Sequence, residues 1–274
     1  MPIITLTSDF GLQDHIAASV KGQIIQHCNT LPTIVDVTHQ ITPYNLSQSA
    51  YIIESILPNY PNNTYHCVFV NLYHNYNSEL LCVRYNNQYI FCANNGFINM
   101  VSKGKPMQVV AIPTTDNSNF ITLISTIINA INWLDSGEDL ESLGILKNDY
   151  IIENTLEPDI GDNWLEGHLQ FIDNYENVVT NISKALFNKV RGNRKFNIVF
   201  KRDELIDQIS EHYNDVPKGE KVAIFNASGY LEIAINGGNA AGLFGFQNSA
   251  QTQNSLSNTE QNNVFYKTIK IYFE

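Results

Sequence analysis

The feature that most constrains this chain is the regular alternation, over its first half, of short apolar runs with segments whose apolar residues recur at helical spacing. Ile3 to Leu6 reads as a strand that ends in Thr7-Ser8-Asp9-Phe10-Gly11. Asp14 then precedes Ile16, Ala17, Val20, Ile24 and Ile25 at the period of a helix. Ile34 to Val37 is a second strand, followed by His39, Thr42-Pro43-Tyr44-Asn45 and a helix through Ala50, Ile53 and Ile56. Further strands fall at Tyr65 to Val70, Leu80 to Tyr85, Tyr89 to Cys92 and Val109 to Ile112, before a helix from about Ile121 to Leu134. Strands alternating with helices predict an α/β layer with a mainly parallel sheet covered on both faces.

After Leu143-Gly144 the pattern changes. Glu166 to Ile172, Val178 to Ile182, Phe196 to Phe200, Val222 to Phe225, Tyr230 to Ile235 and Val264 to Phe273 read as strands separated by turns, which predicts a smaller β-rich domain. The polar stretch Gln247 to Asn263 lacks apolar periodicity and is expected to be a long surface loop. The boundary is placed near residue 150, giving domains 1–150 and 151–274, with the linker near residues 145–165.

Composition narrows the partners. Sixteen Lys+Arg against 27 Asp+Glu give a net charge of −11. Without a basic cluster, such a chain is poorly suited to a phosphate backbone, and no nucleic-acid partner is expected. Cys28, Cys67, Cys82 and Cys92 show no CxxC spacing and sit in apolar surroundings, so they read as buried reduced thiols. The opening PIITLTSDFG is not a signal peptide, and no segment reaches membrane-spanning length. A cytoplasmic location without membrane contact is the expectation.

Several polar residues stand where chemistry is possible. Asp9 and Asp14 lie in a strand-to-helix loop, where a carboxylate can cap backbone N–H groups. Asp9, at the end of a parallel strand, could equally accept hydrogen bonds from two sugar hydroxyls in the crevice outside the strands' carboxyl ends. His39 has no metal-ligand partner at a suitable spacing and reads as a hydrogen-bonded structural residue; no metal site is expected. Asp173 to Asn177 fits a hairpin turn. Asn226 to Ala241 places small residues on both sides of one strand, which permits close approach of a ligand or another subunit. Walker, GxGxxG, GxSxG and HExxH signatures are absent.

Taken in order, Ser8-Asp9-Phe10-Gly11 with Asp14 and Lys21-Gly22, Val35-Asp36-Val37-Thr38-His39 with Thr42-Pro43, and Asn94-Asn95-Gly96 resemble the N-terminal domain of the S-adenosyl-L-methionine hydroxide adenosyltransferases. These are the SAM hydrolases, relatives of fluorinase and chlorinase. Ile172-Asp173 through Asn177 and Thr180-Asn181-Ile182 are similar to the family's "IDxFGNxxTNI" turn, and Asn226 to Ala241 to its "NSxGYLEIAxNxGxAA" strand. The resemblance implies a fluorinase-like two-domain fold and a homotrimer in which adenosylmethionine lies between the N-terminal domain of one subunit and the C-terminal domain of the next. A nucleophile there attacks the ribose C5′ and methionine departs as a neutral thioether, with no cofactor and no metal. The same resemblance implies that Asp9 holds the ribose hydroxyls and that Asp14 and Asp173 face the methionine ammonium. It also implies that Tyr44 packs on the ligand, that Asn177 meets the adenine edge, and that the backbone near Ser228 and Gly237 meets carboxylate and base. Glu176 replaces the usual glycine of the turn.

The nucleophile pocket departs from the pattern. The family's "VDPGVGTxRR" loop supplies an Asp and an Arg, and its "FHGRD" segment a His, which together position water. Here the loop runs from Val70 to Glu79, with Asn71 in place of the Asp and Ser78 in place of the Arg, while Thr122 replaces the His. None of these three titrates near neutrality. Three readings follow. Hydrolysis persists, with His74 or Glu79 as substitutes and turnover reduced; or the neutral donors hold another nucleophile such as halide; or the protein is a non-catalytic adenosyl-ligand binding or structural trimer.

Overall fold

The computed structural model describes residues 1–73, 79–105, 107–114, 119–153, 157–201, 204–245 and 268–274. It divides into two compact units, Met1–Thr155 and Leu156–Glu274.

The first unit contains, in chain order, β1 (Ile3–Ser8), α1 (Ile16–His27), β2 (Thr33–Thr38), α2 (Leu46–Ile56), β3 (Tyr65–Phe69), β4 (Leu80–Tyr85), β5 (Gln88–Ala93), α3 (Phe97–Ser102), β6 (Gln108–Ile112), α4 (Phe120–Asp135) and β7 (Ile145–Leu146). Its mixed sheet has the order β2-β1-β3-β5-β4-β6-β7. The block β2-β1-β3-β5 is parallel and the remaining pairings are antiparallel. The direction reverses at a two-residue hairpin, where Asn86 and Asn87 have φ of 51° and 60° between paired Tyr85 and Gln88. Two successive left-handed residues match the twist of a tight antiparallel hairpin, and Asn tolerates them better than most side chains.

Both sheet faces are covered, as the periodicity predicts. On one face Val20 and Ile24 of α1 and Leu123, Ile127 and Ile131 of α4 pack with Leu6, Phe69 and Phe91. On the other, Ala50 and Ile53 of α2 and Phe97, Ile98 and Val101 of α3 pack with Val68, Leu81 and Ile90. Because β1, β2 and β3 run parallel, the segments that follow them emerge on one edge of the sheet. Asp9, Tyr44 and Asn71 all lie on those segments.

The second unit contains β8 (Asp159–Ile160), β9 (Trp164–Ile172), β10 (Val178–Ser183), α5 (Lys184–Arg191), β11 (Phe196–Lys201), β12 (Glu204–Ile206), β13 (Lys221–Phe225), β14 (Tyr230–Ile235), α6 (Ala240–Phe244) and β15 (Thr268–Phe273). The strands form an antiparallel sheet of order β12-β11-β15-β9-β10-β14-β13, with β8 paired to β9. Its end strands β12 and β13 approach each other, so the sheet is a nearly closed barrel. Phe187 of α5 fills the barrel end against Phe196, Phe225 and Phe273, with ring centroids 5.1, 5.4 and 6.1 Å away. Gly167 permits the tight curl of β9, since a Cβ there would lie 2.4 Å from Ile182 Cγ1.

Residues 145–165 are not a bare linker: they supply edge strands β7 and β8 and the start of β9. The short helices α3, α5 and α6 are additions to the expected elements. The stretch from Gln247 to Asn263 and the first residues of the expected final strand lie outside the described residues, whereas β15 itself is a strand.

Candidate functional site

Asp9 follows the last residue of β1 and is half-buried. Its Oδ2 accepts hydrogen bonds from the backbone N–H groups of Tyr44 (3.1 Å) and Asn71 (3.2 Å). One carboxylate oxygen thus ties together the segments after β1, β2 and β3. Among the described residues no hydrogen bond reaches Oδ1. A carboxylate anchored by one oxygen and open at the other is suited to accept hydroxyl donors. Tyr44 is exposed, with φ 66°, and its ring is available for packing. Asp14 is exposed and accepts the Ile16 N–H at 2.9 Å, so it serves the first turn of α1.

The two described ends of the segment 70–79 are held from the adjacent turn. Buried Asn95 donates through Nδ2 to the carbonyls of Val70 and Asn71, each at 3.1 Å. This supports the left-handed backbone of Asn71 (φ 49°). Asn94 Nδ2 donates to Glu79 Oε2 (2.9 Å), and Lys147 Nζ lies 2.8 Å from Glu79 Oε1. Both oxygens of Glu79 are therefore engaged, and it is an anchor rather than a free base. His74 and Ser78 lie outside the described residues. Thr122 is half-buried in the first turn of α4, whose cap Asn119 accepts the Ile121 and Thr122 N–H groups. Phe120 packs edge-on against Phe10 at 5.3 Å, which places this turn beside the segment after β1.

Beneath Asp9 the structure joins residues that the sequence leaves apart. Ser8 Oγ lies 2.7 Å from His39 Nδ1, His39 Nε2 lies 3.1 Å from Asp36 Oδ1, and Lys21 Nζ lies 2.6 Å from Asp36 Oδ2. Burial opposes ionisation of Asp36, but Lys21 and His39 outweigh it and hold the carboxyl below its ordinary range. His39 is the hydrogen-bonded residue the sequence suggests.

In the second unit, Asp173 closes the β9–β10 hairpin. Its Oδ1 accepts the Tyr175 and Asn177 N–H groups at 2.9 and 2.8 Å, and its Oδ2 accepts Asn177 Nδ2 at 3.0 Å. Glu176 adopts φ 62°, the left-handed region that explains why a glycine suits this position. The Ala241 N–H donates to the Glu176 carbonyl (2.9 Å), which brings the Gly237–Ala241 turn and Asp173–Asn177 together. Ser228 sits at the other end of β14, in a turn where the Ser228 N–H donates to Asn226 Oδ1 (3.1 Å). Six strand residues separate the two ends by roughly 20 Å.

Sequence reasoning passed over Glu232. It is buried in β14, accepting from Tyr213 Oη (2.7 Å) and Asn226 Nδ2 (3.2 Å). Burial pushes its carboxyl up, and the negative charge of Asp173 adds to the shift. A lone charge inside the apolar run Tyr230 to Ile235 was the available signal. All four cysteines are free thiols, and burial pushes Cys92 up to about 12, which leaves it unreactive. Among the described residues there is no group of three His, Cys, Asp or Glu able to hold a metal, and no helix is long and apolar enough to cross a membrane.

Comparison with known proteins agrees with this layout. A family model of the SAM hydroxide adenosyltransferase N-terminal domain matches residues 4–144, and that of the C-terminal domain matches residues 167–253. The (R)-S-adenosyl-L-methionine hydrolase of Methanocaldococcus jannaschii is 22% identical over 261 residues, covering 89% of this chain and 92% of the relative. An uncharacterized conserved protein of Thermotoga maritima shares the fold at a TM-score of 0.78 and 20% identity, over 99% of this chain and 100% of that one. A conserved hypothetical protein of Thermus thermophilus does so at 0.70 and 18%, over 100% and 99%. With both halves matched by family models in the expected order, the chain belongs to the SAM hydroxide adenosyltransferase family.

Proposed function

We propose that this protein binds S-adenosyl-L-methionine and hydrolyses it slowly to adenosine and methionine. In that reaction water oxygen bonds to the ribose C5′, the C5′–S bond breaks, its electron pair neutralises the sulfonium, and the water gives up a proton. The leaving group is already good, so alignment and desolvation of water dominate the barrier. The observation that carries the reading is Asp9, at the end of a parallel strand, with Oδ2 pinned by two backbone donors and no hydrogen bond to Oδ1 among the described residues.

Asp9 would hold the ribose hydroxyls and Tyr44 would cover the ligand. Asp14 would attract the methionine ammonium, while Asp173, with both oxygens engaged in the hairpin, would hold Asn177 in place, and Asn177 with the Gly237 turn would meet the adenine of a ligand bound by a neighbouring chain. Ser228, at the far end of β14, would meet the opposite end of an extended ligand. This division of labour calls for an oligomer, for which we take the homotrimer that the family resemblance implies, and a cytoplasmic location fits the free thiols. Asn71, Ser78 and Thr122 would orient water without taking its proton, so turnover should fall well below that of an enzyme with Asp, Arg and His at these places. The engagement of both Glu79 oxygens favours a second reading, a binder without turnover.

Mass spectrometry of incubations with adenosylmethionine tests the proposal. Slow methionine release by the wild type, raised about 100-fold in the Asn71→Asp/Ser78→Arg/Thr122→His variant, is expected. Intact adenosylmethionine bound without any release selects the second reading. No adenosyl ligand bound at millimolar concentration refutes both, and rapid wild-type hydrolysis refutes the account of the altered residues.

A further inference from the structure

Lys21, Asp36, His39 and Ser8 are spread over three elements and form one unbroken chain of polar contacts. It starts at the surface, where Lys21 and Asp36 are about a third and two fifths exposed, and ends at Ser8, which is fully buried directly before Asp9. Asp36 is an ionised acceptor, so the hydrogen of His39 belongs on Nε2. Nδ1 is then left with a lone pair that accepts the Ser8 hydroxyl. Ser8 Oγ in turn accepts the Phe10 N–H at 3.5 Å, at the far side of Asp9.

The backbone around Asp9 is laced to the same group. The Gly11 N–H donates to the His39 carbonyl (2.7 Å), the Ile41 N–H to the Ser8 carbonyl (3.2 Å) and the Asp9 N–H to the Phe69 carbonyl (3.3 Å). The order Ser, His, Asp is that of a nucleophilic triad, but burial denies the Ser8 hydroxyl any approaching substrate. What the chain can do is fix a turn. With Lys21 holding one oxygen of the ionised Asp36 and His39 Nε2 on the other, the hydrogen-bonding role of each member follows from that of the one before it, and an ordered second layer of this kind holds a binding group within the narrow tolerance that recognition needs.

We propose that Lys21, Asp36, His39 and Ser8 form a positioning relay that aims the Asp9 carboxylate, and that the relay sets the protein's selectivity for the ribose diol. The proposal rests on Asp9 as the ribose acceptor. Its readout is a ratio that loss of stability alone would not move: the Kd for 2′,3′-dideoxyadenosine divided by the Kd for adenosine, measured by calorimetry on the full chain.

The wild type should prefer adenosine, and Asp9→Ala should abolish the preference. Asp36→Asn keeps the shape but no longer dictates the His39 tautomer, and should reduce the ratio about tenfold. Lys21→Met, at the exposed end, should reduce it in the same direction. Thermal melting before each titration confirms that the variants are folded. If Ser8→Ala fails to fold, the two surface variants carry the test. A wild-type preference that survives unchanged in Asp36→Asn and Lys21→Met overturns the relay and leaves the role of Asp9 intact. A wild type with no preference for the diol overturns the role of Asp9 and the relay with it.

Discussion

Asp9→Asn separates the structural contact of one carboxylate oxygen from the ligand-binding function proposed for the other. In the wild type, Oδ2 accepts from the Tyr44 and Asn71 N–H groups, and among the described residues no hydrogen bond reaches Oδ1. Asparagine can keep its carbonyl oxygen on those two donors, so the turn should hold and the melting temperature should move by no more than about 4 °C, the equivalent of about 1 kcal/mol. The other atom becomes an NH2 group, which cannot accept a hydrogen bond from a ribose hydroxyl. A hydrogen bond to a charged acceptor contributes about 1.5–3 kcal/mol, so the Kd for adenosine or adenosylmethionine should rise roughly 10- to 150-fold. Asp9→Ala should differ in kind. It removes the link between the Tyr44 and Asn71 segments, and a lost hydrogen bond to a charged acceptor is worth about 1.5–3 kcal/mol, so it should lose stability as well as affinity. Isothermal titration calorimetry beside thermal melting reads both quantities. An Asp9→Asn protein that binds within twofold of the wild type would refute the assignment of Oδ1 to the ligand.

Three further outcomes are expected. His66 is buried between Thr5 (2.8 Å) and Gln88 (3.0 Å), and burial lowers its pKa from 6.5 to about 4. The unfolded chain therefore binds the proton first as pH falls, and the wild type should lose up to about 3 kcal/mol between pH 6.5 and 4, a loss that denaturant titrations of His66→Gln should not show. Glu232 has the opposite sign: its folded-state carboxyl is raised, so ionisation opposes folding at neutral pH. The stability of the wild type relative to Glu232→Gln should improve as pH falls through the carboxylate range, in the same titrations. Gly167→Ala should cost about 1–3 kcal/mol, because its methyl would overlap Ile182 Cγ1 and Cδ1, and should lower the melting temperature of the barrel.

The fold was legible wherever periodicity ran long enough to count. Helix α4 buries Leu123, Ile124, Ile127, Ile128, Ile131 and Leu134, and its pattern is plain in the sequence. Helix α5 is only eight residues long and buries Phe187 alone, so no apolar stripe announces it. Its signals are the caps: Ser183 accepts the Leu186 N–H, Lys189 and Arg191 fill the last turn, and Gly192 follows. Helix α3 begins after Gly96, at φ 91°, and lacks even a capping side chain. The site divides in the same way. Asp9 was legible from its place after a strand, because topology alone puts that position on the crevice edge. The link from Lys21 to Ser8 was not, because its members meet only when β1, α1 and β2 are assembled, and no spacing encodes that meeting. Glu79 was misleading for a related reason: nearness in sequence suggested a base, and the fold commits both of its oxygens to Asn94 and Lys147.

On the proposed reading, the persistence of a ribose acceptor beside an altered nucleophile pocket has a direct structural cause. By its resemblance to the family motif Asn71 stands in place of a carboxylate, yet its contact with Asp9 comes from its backbone N–H, at 3.2 Å. Tyr44 likewise contributes through its N–H. What those two groups require of the chain is a path, not a side chain, and the path at Asn71 is enforced by Asn95, whose amide holds the Val70 and Asn71 carbonyls. Asparagine tolerates the left-handed backbone at this point as well as aspartate does. On that reading, exchanging a carboxylate for an amide at Asn71 would remove a group able to orient or deprotonate water while leaving the support of Asp9 in place. Binding and turnover would then draw on different atoms of the same residue, so that sequence change could dismantle one and keep the other.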